Sequence, residues 1–265
     1  MVASWGVIVR KEEHVKLVDE LLSEPLLQEY YLFALHNMII DLAGLGAWEE
    51  FDKGADTIQQ LIDEMQEGPA KSHQEANLRG RILYRQILAG DFTEAEQTAD
   101  SLASNLQEYR YQPQMHIQHQ FLIGTTYFYV GRMGDALSWI AELMADENLP
   151  AHRDFHLFTH IVNLILHLEM GHRTHLEYAR DRTYRVLSKA DTLYEVERAF
   201  LRFLRRYQRL PDKSEEMLQA YRELHAEILP LKEEAYERFA FRYFHFLPWL
   251  ESKIEGRAMQ VKDEL

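Results

Sequence analysis

The sequence predicts an all-α protein built on a repeated helical hairpin, and three observations predict it. Gly and Pro are sparse, 12 and 7 in 265 residues, too few for the many tight turns of an all-β chain. Helix formers such as Ala, Leu, Glu, Arg and Gln dominate in their place. Turn residues recur at a nearly fixed interval: Gly46, Gly90, Gly131, Gly171 and then Pro211, at spacings of 44, 41, 40 and 40. Periods of this size mark arrays of stacked supersecondary units.

Each mark separates two helical patterns. Residues 12–23 come first and read as a lone second-type helix without a first helix, as in a chain that continues a longer array. Five hairpins are then expected at about 26–67, 73–109, 112–147, 151–189 and 194–228, all within one domain of residues 1–265. In the second, Phe92, Ala95, Ala99, Leu102, Ala103 and Leu106 share one face. In the third, Ala136, Leu137, Ile140, Ala141, Leu143 and Met144 form the stripe of an amphipathic helix. A glycine between two such helices supplies the left-handed end of the first, which predicts an αα-hairpin.

The first helix of a hairpin is apolar nearly all round. Residues 155–170 include Phe158, Ile161, Val162, Leu164, Ile165, Leu166 and Leu168. Such a helix must be covered on several sides, which stacked hairpins accomplish. Beyond the fifth hairpin a capping helix is expected at 231–256, carrying Phe239, Tyr243, Phe244, Phe246, Leu247, Trp249 and Leu250. Pro248 is expected to kink it, and the tail 257–265 to be disordered.

In the third hairpin, Ile123-Gly124-x-x-Tyr127, then Gly131, then Ala136, resembles the tetratricopeptide signature. The other hairpins keep the turn glycine and a small or apolar residue five places later: Phe51, Ala95 and Leu176. The resemblance spans about residues 26–228. It implies a right-handed αα-superhelix, a TPR-like solenoid, in which Gly124 allows close helix approach and Tyr127 fills the gap inside the hairpin. It also implies a concave peptide-binding face lined by first helices. Carried over by position, that face offers Asn37 in the first repeat, Asn77, Arg81 and Tyr84 in the second, and Gln118 and Tyr129 in the third. The fifth repeat places Arg198, Arg202, Arg205 and Arg209 there.

Those four arginines also share one helix face by their 4-3-4 spacing. From His172 to Lys213 there are eleven basic and six acidic residues, although the whole chain carries −14. Guanidinium groups pair bidentately with carboxylates and phosphates, so the row points to an acidic protein or peptide partner. The competing reading pairs it with Glu233, Glu234 and Glu237 of the cap.

The chemistry of other classes is thin. A charge of −14 opposes general binding to nucleic acid or anionic membranes, so neither is expected as a partner. With no cysteine, thiolate nucleophiles, disulfides and Cys-based zinc sites are excluded. No Gly-rich phosphate loop or nucleophile elbow occurs, and no enzyme activity or cofactor is expected. His152, His156 and His160 recur at i, i+4 and i+8, with His116 and His119 one repeat earlier. They define the alternative function, a histidine-based metal-binding or hydrolytic protein. The apolar stretch Trp5–Val9 is shorter than a signal core, and no run approaches a membrane span. The terminal Lys-Asp-Glu-Leu has no secretory entry signal beside it, and a cytoplasmic location is expected.

Overall fold

The computed structural model describes residues 25–106, 113–187, 194–211 and 214–261. The expected helix at 12–23 and the terminal Lys262–Leu265 lie outside them. The described residues are helical, with no strand among them. Contacts group into two compact units, Met1–Arg81 and Ile82–Leu265, with the division inside one helix.

The first unit holds α1 (Pro25–Gly44), α2 (Trp48–Asp63) and the first part of α3 (Pro69–Ala89). Leu32, Leu35, Ile39 and Ala43 of α1 meet Phe51, Ile58, Leu61 and Ile62 of α2 in its core. A Cβ on Gly54 would lie 2.5 Å from the Ile39 side chain, so a glycine sets how closely these two helices approach.

The second unit continues with α4 (Phe92–Asn105), α5 (Pro113–Tyr129), α6 (Met133–Ala145), α7 (Arg153–Glu169) and α8 (Arg173–Leu187). Then come α9 (Glu195–Tyr207), α10 (Glu215–Ile228) and α11 (Phe246–Glu255). From α4 to α8 each helix packs on the next, and α5 also packs on α7. One apolar core runs from Leu83 through the apolar α7 to Trp249 and Leu250.

Four turns are built alike. Gly46, Gly90, Gly131 and Gly171 have φ of 69°, 77°, 82° and 68°, the left-handed conformation expected of them. In each, the residue after the glycine donates its N–H five residues back: Ala47 to Leu42, Asp91 to Gln86, Arg132 to Tyr127 and His172 to His167, at 2.8–3.0 Å. This is the Schellman pattern, which satisfies carbonyls that the helix end leaves open. At Gly124 a Cβ would come within 2.9 Å of Ile140, so the close approach of α5 and α6 is present.

Three expectations change. Tyr127 does not merely fill its own hairpin: its hydroxyl donates to Asp100 of α4 at 2.7 Å, and Arg132 joins Asp100 at 2.9 Å and Glu96 at 3.2 Å. The cap is not one helix from 231. Two 3-10 segments, Leu229–Glu233 and Glu237–Arg242, precede α11. Pro248 then falls in the first turn of α11, where the N–H it lacks would have no helical partner, and it causes no kink. Finally, residues 257–261 have defined positions, and Val261 packs against the Gly90 turn.

A Cβ on Gly90 would stand 2.7 Å from Val261 Cβ, whereas one on Gly131 would meet nothing within 4 Å. Both substitutions to alanine force a left-handed φ on a side chain, at about 1 kcal/mol or more. Gly90→Ala is expected to cost more than Gly131→Ala, by the displacement of Val261. Urea unfolding midpoints of the two variants check this.

Candidate functional site: an arginine-lined groove between α8 and α9

The last turn of α9 carries the exposed Arg205, and the exposed Arg209 follows in the turn beyond Tyr207. Leu201, Leu204 and the aromatic rings of Phe200 and Phe203 face the core, so the amphipathic pattern turns the basic residues outward. Opposite them, α8 presents Arg173, Arg180 and Arg185. Two adjoining depressions share Arg180 and Arg205. The larger, about 630 Å³, is lined by Arg173, Thr174, Glu177, Arg180, Arg205, Gln208 and Arg209. The smaller adds Asp181, Tyr184 and Arg185.

The groove is braced by polar contacts across it. Arg173 donates to the Leu210 carbonyl at 2.9 Å, and its guanidinium lies 5.4 Å from the Tyr207 ring centre. Arg180 donates to the Gln208 side chain and pairs with Asp181 at 2.8 Å. Arg205 lies 5.4 Å over the Tyr184 ring, a cation–π arrangement. Neither Arg205 nor Arg209 has a carboxylate partner among the described residues. The lining of the two depressions thus holds five guanidinium groups and two carboxylates, Glu177 and Asp181, and an anion entering here meets net positive charge.

The expected row of four arginines splits. Arg198 pairs with Glu195 on its own helix and Arg202 with Glu227 of α10. Arg206 pairs with Glu223 of α10. The cap acids are not the partners. Glu237 instead accepts N–H bonds from Glu195 at 2.8 Å and Val196 at 3.4 Å, at the start of α9. Only Arg205 and Arg209 turn towards α8, because one face of α9 is shared between two neighbouring helices.

The other expected groove residues do not gather with them. Asn37 is exposed on α1, and Asn77 and Arg81 are half-buried in the first unit. There His36 bonds Gln74 at 3.1 Å, and burial, then the Arg81 charge, lowers its pKa to about 4. In the second unit Tyr84 and Gln118 are half-buried. Tyr129 is covered by the chain itself. Its ring stacks on Phe92 at 4.8 Å, Phe244 and His245 lie against it, and its hydroxyl accepts the His245 N–H at 3.1 Å. Nearby, Tyr243 stacks on Phe158 of α7 at 4.5 Å and His245 bonds the Ile87 carbonyl at 2.7 Å. The space beside these first helices is therefore filled by residues 243–245.

The expected histidine series is partly internal. The His156 and His160 rings are 5.1 Å apart, and His119 and His160 are buried. Burial, then His156 and Arg182, lowers the His160 pKa to about 4. Among the described residues no group of three or more His, Cys, Asp or Glu side chains is placed so that it could hold a metal ion. No described helix is long and apolar enough to cross a membrane. Positional carry-over missed Arg173, Arg180 and Arg185, since it looked only at first helices. The surplus of basic residues between 172 and 213 was their one signal. No protein-family model matches the chain, and comparison with curated proteins and with solved structures finds no match.

Proposed function

We propose that the protein is a non-enzymatic scaffold that binds an acidic protein or peptide segment in the α8–α9 groove. In this reading its hairpins stack as a right-handed, TPR-like superhelix. The observation that carries the reading is the pair Arg205 and Arg209, exposed and without carboxylate partners among the described residues, facing the arginines of α8. Guanidinium groups hold their protons at all physiological pH, so a site made of them suits anion binding better than proton transfer. The four alike turns at a period near 40 support the stacked architecture.

The test is charge reversal. A fluorescein-labelled oligoglutamate peptide is expected to bind the wild type at low salt and to release as salt rises. Arg205→Glu with Arg209→Glu is expected to weaken binding at least tenfold, since each charge-assisted bond contributes about 1.5–3 kcal/mol. Arg198→Glu, outside the groove, is expected to leave it within about twofold. Equal affinity of the double variant and the wild type, read by fluorescence anisotropy, rejects the groove as the site.

A further inference from the structure

The two depressions of the α8–α9 groove differ in chemistry. The smaller has Arg180, Arg185 and Arg205 against Asp181, and Arg180 already holds that carboxylate at 2.8 Å. The larger has four guanidinium groups, those of Arg173, Arg180, Arg205 and Arg209, and the single carboxylate of Glu177. Its lining therefore carries an excess of three positive charges. One side-chain carboxylate entering it would leave most of that excess standing.

Hydrogen-bond donors are in surplus there too. The guanidinium groups of Arg205 and Arg209 donate to no acceptor among the described residues. A guanidinium only donates, so Gln208 must turn its side-chain oxygen to Arg180 and its amide nitrogen away. That Nε2 is buried and has no partner among the described residues, and Gln208 lines the larger depression. Thr174 adds a hydroxyl to the same lining. Two of the guanidinium groups are already held in place, Arg173 by the Leu210 carbonyl and Arg180 by Gln208. Donors fixed before a ligand arrives lower the ordering cost of binding it.

We infer that the larger depression takes the phosphoryl group of a phosphorylated protein segment, clamped between guanidinium groups of α8 and α9. The inference rests on the reading of the groove as a site for an acidic segment and names the anion it selects. A carboxylate brings two acceptor oxygens and one charge, whereas a phosphoserine brings three oxygens and about −1.5 to −2 charges at pH 7. The second matches both the charge excess and the surplus of donors. Beyond the phosphoryl position the groove continues into the smaller depression, where the exposed Tyr184 ring and Leu201 give apolar surface beside Arg185. Side chains flanking the phosphorylated residue in an extended segment fit that surface. The −14 charge of the whole chain opposes a polyanion such as nucleic acid.

Two fluorescein-labelled peptides of one sequence, Ala-Glu-Ala-X-Ala-Glu-Ala, with phosphoserine or glutamate at X, test this by fluorescence anisotropy on the full chain. The phosphoserine peptide is expected to bind about tenfold more tightly than the glutamate one. Arg209→Gln, which touches the larger depression alone, is expected to cut that preference to about twofold. Arg185→Gln, in the smaller depression alone, is expected to weaken both peptides by a similar factor and keep the preference. Inorganic phosphate is expected to displace the label only at concentrations about a hundredfold above those at which the unlabelled phosphopeptide does. Equal affinity of the two peptides overturns the phosphoryl assignment and leaves the groove as a site for acidic segments. Binding of neither peptide overturns both readings. A preference that survives Arg209→Gln, or displacement by free phosphate mole for mole with the phosphopeptide, also overturns the inference.

Discussion

Trp249→Ala is expected to lower the stability of the second unit by about 4 kcal/mol, within the range for truncating a buried aromatic. Trp249 is only 2% exposed. Its ring lies 6.0 Å from Phe200, 6.1 Å from Tyr221 and 6.1 Å from Phe244. Its indole N–H donates to Glu169 of α7 at 2.8 Å. Alanine removes contacts to α9, α10 and the link before α11 together and takes a donor from Glu169, which keeps Lys253. Trp249→Phe retains most of the area and is expected to cost roughly half as much. Urea unfolding followed by circular dichroism distinguishes the two. A cost below about 1 kcal/mol for Trp249→Ala would mean that α11 does not close the core.

Glu197→Gln is expected to stabilise the protein above neutral pH and leave it little changed in acid. Glu197 is fully buried near the start of α9. Its Oε2 accepts the Tyr194 N–H at 3.2 Å, while Oε1 has no hydrogen-bond partner. Burial raises its pKa from 4.5 to about 7, with Asp154 and Glu237 adding to the rise and the Tyr194 N–H and Arg153 opposing it. Between those values the folded chain keeps a proton that the unfolded chain has lost. Stability therefore falls as pH rises from 4.5 to about 7 and is level above that. The interval amounts to about 3 kcal/mol. Glutamine keeps the acceptor and has no charge to bury. Burial holds the pKa values of His160 and His245 near 4, so they act with the opposite sign, favouring the fold above pH 6.5 and losing that as pH falls towards 4. The variant-minus-wild-type difference at each pH isolates Glu197. A difference that does not vary between pH 4 and 8 refutes the assignment.

What the sequence made legible was local. A helix end that needs positive φ selects glycine, so Gly46, Gly90, Gly131 and Gly171 announced their turns. The apolar period of α4 and α6 announced their buried faces in the same way. Partners at long range were not legible. The 4-3-4 spacing puts Arg198, Arg202, Arg205 and Arg209 on one side of α9, yet says nothing of which neighbour carries acids. Glu227 takes Arg202, while Asp181 of α8 is held by Arg180 and Arg205 keeps no carboxylate partner among the described residues. The aromatic richness of 239–250 was visible, but its division into a 3-10 segment that ends at Arg242 and a short helix that starts at Phe246 was not, since no proline or glycine marks that boundary. Histidines spaced at i and i+4 drew attention to His152, His156 and His160. The rings of His167, His172 and His175, with centres 5.5–6.1 Å apart, come together across a turn, and helical periodicity cannot register that.

The contacts of residues 243–253 bear on how the second unit folds. An array stabilised by neighbouring repeats alone can nucleate anywhere and grow one hairpin at a time. Here His245 bonds Ile87 across 158 residues, Tyr243 reaches Asp154, and Trp249 and Lys253 hold Glu169 across 80 and 84. Such separations raise the loop-closure cost before any reward is gained. Hairpins from Ile82 onward are thereby joined into one cooperative transition: the unit melts as a whole rather than fraying repeat by repeat.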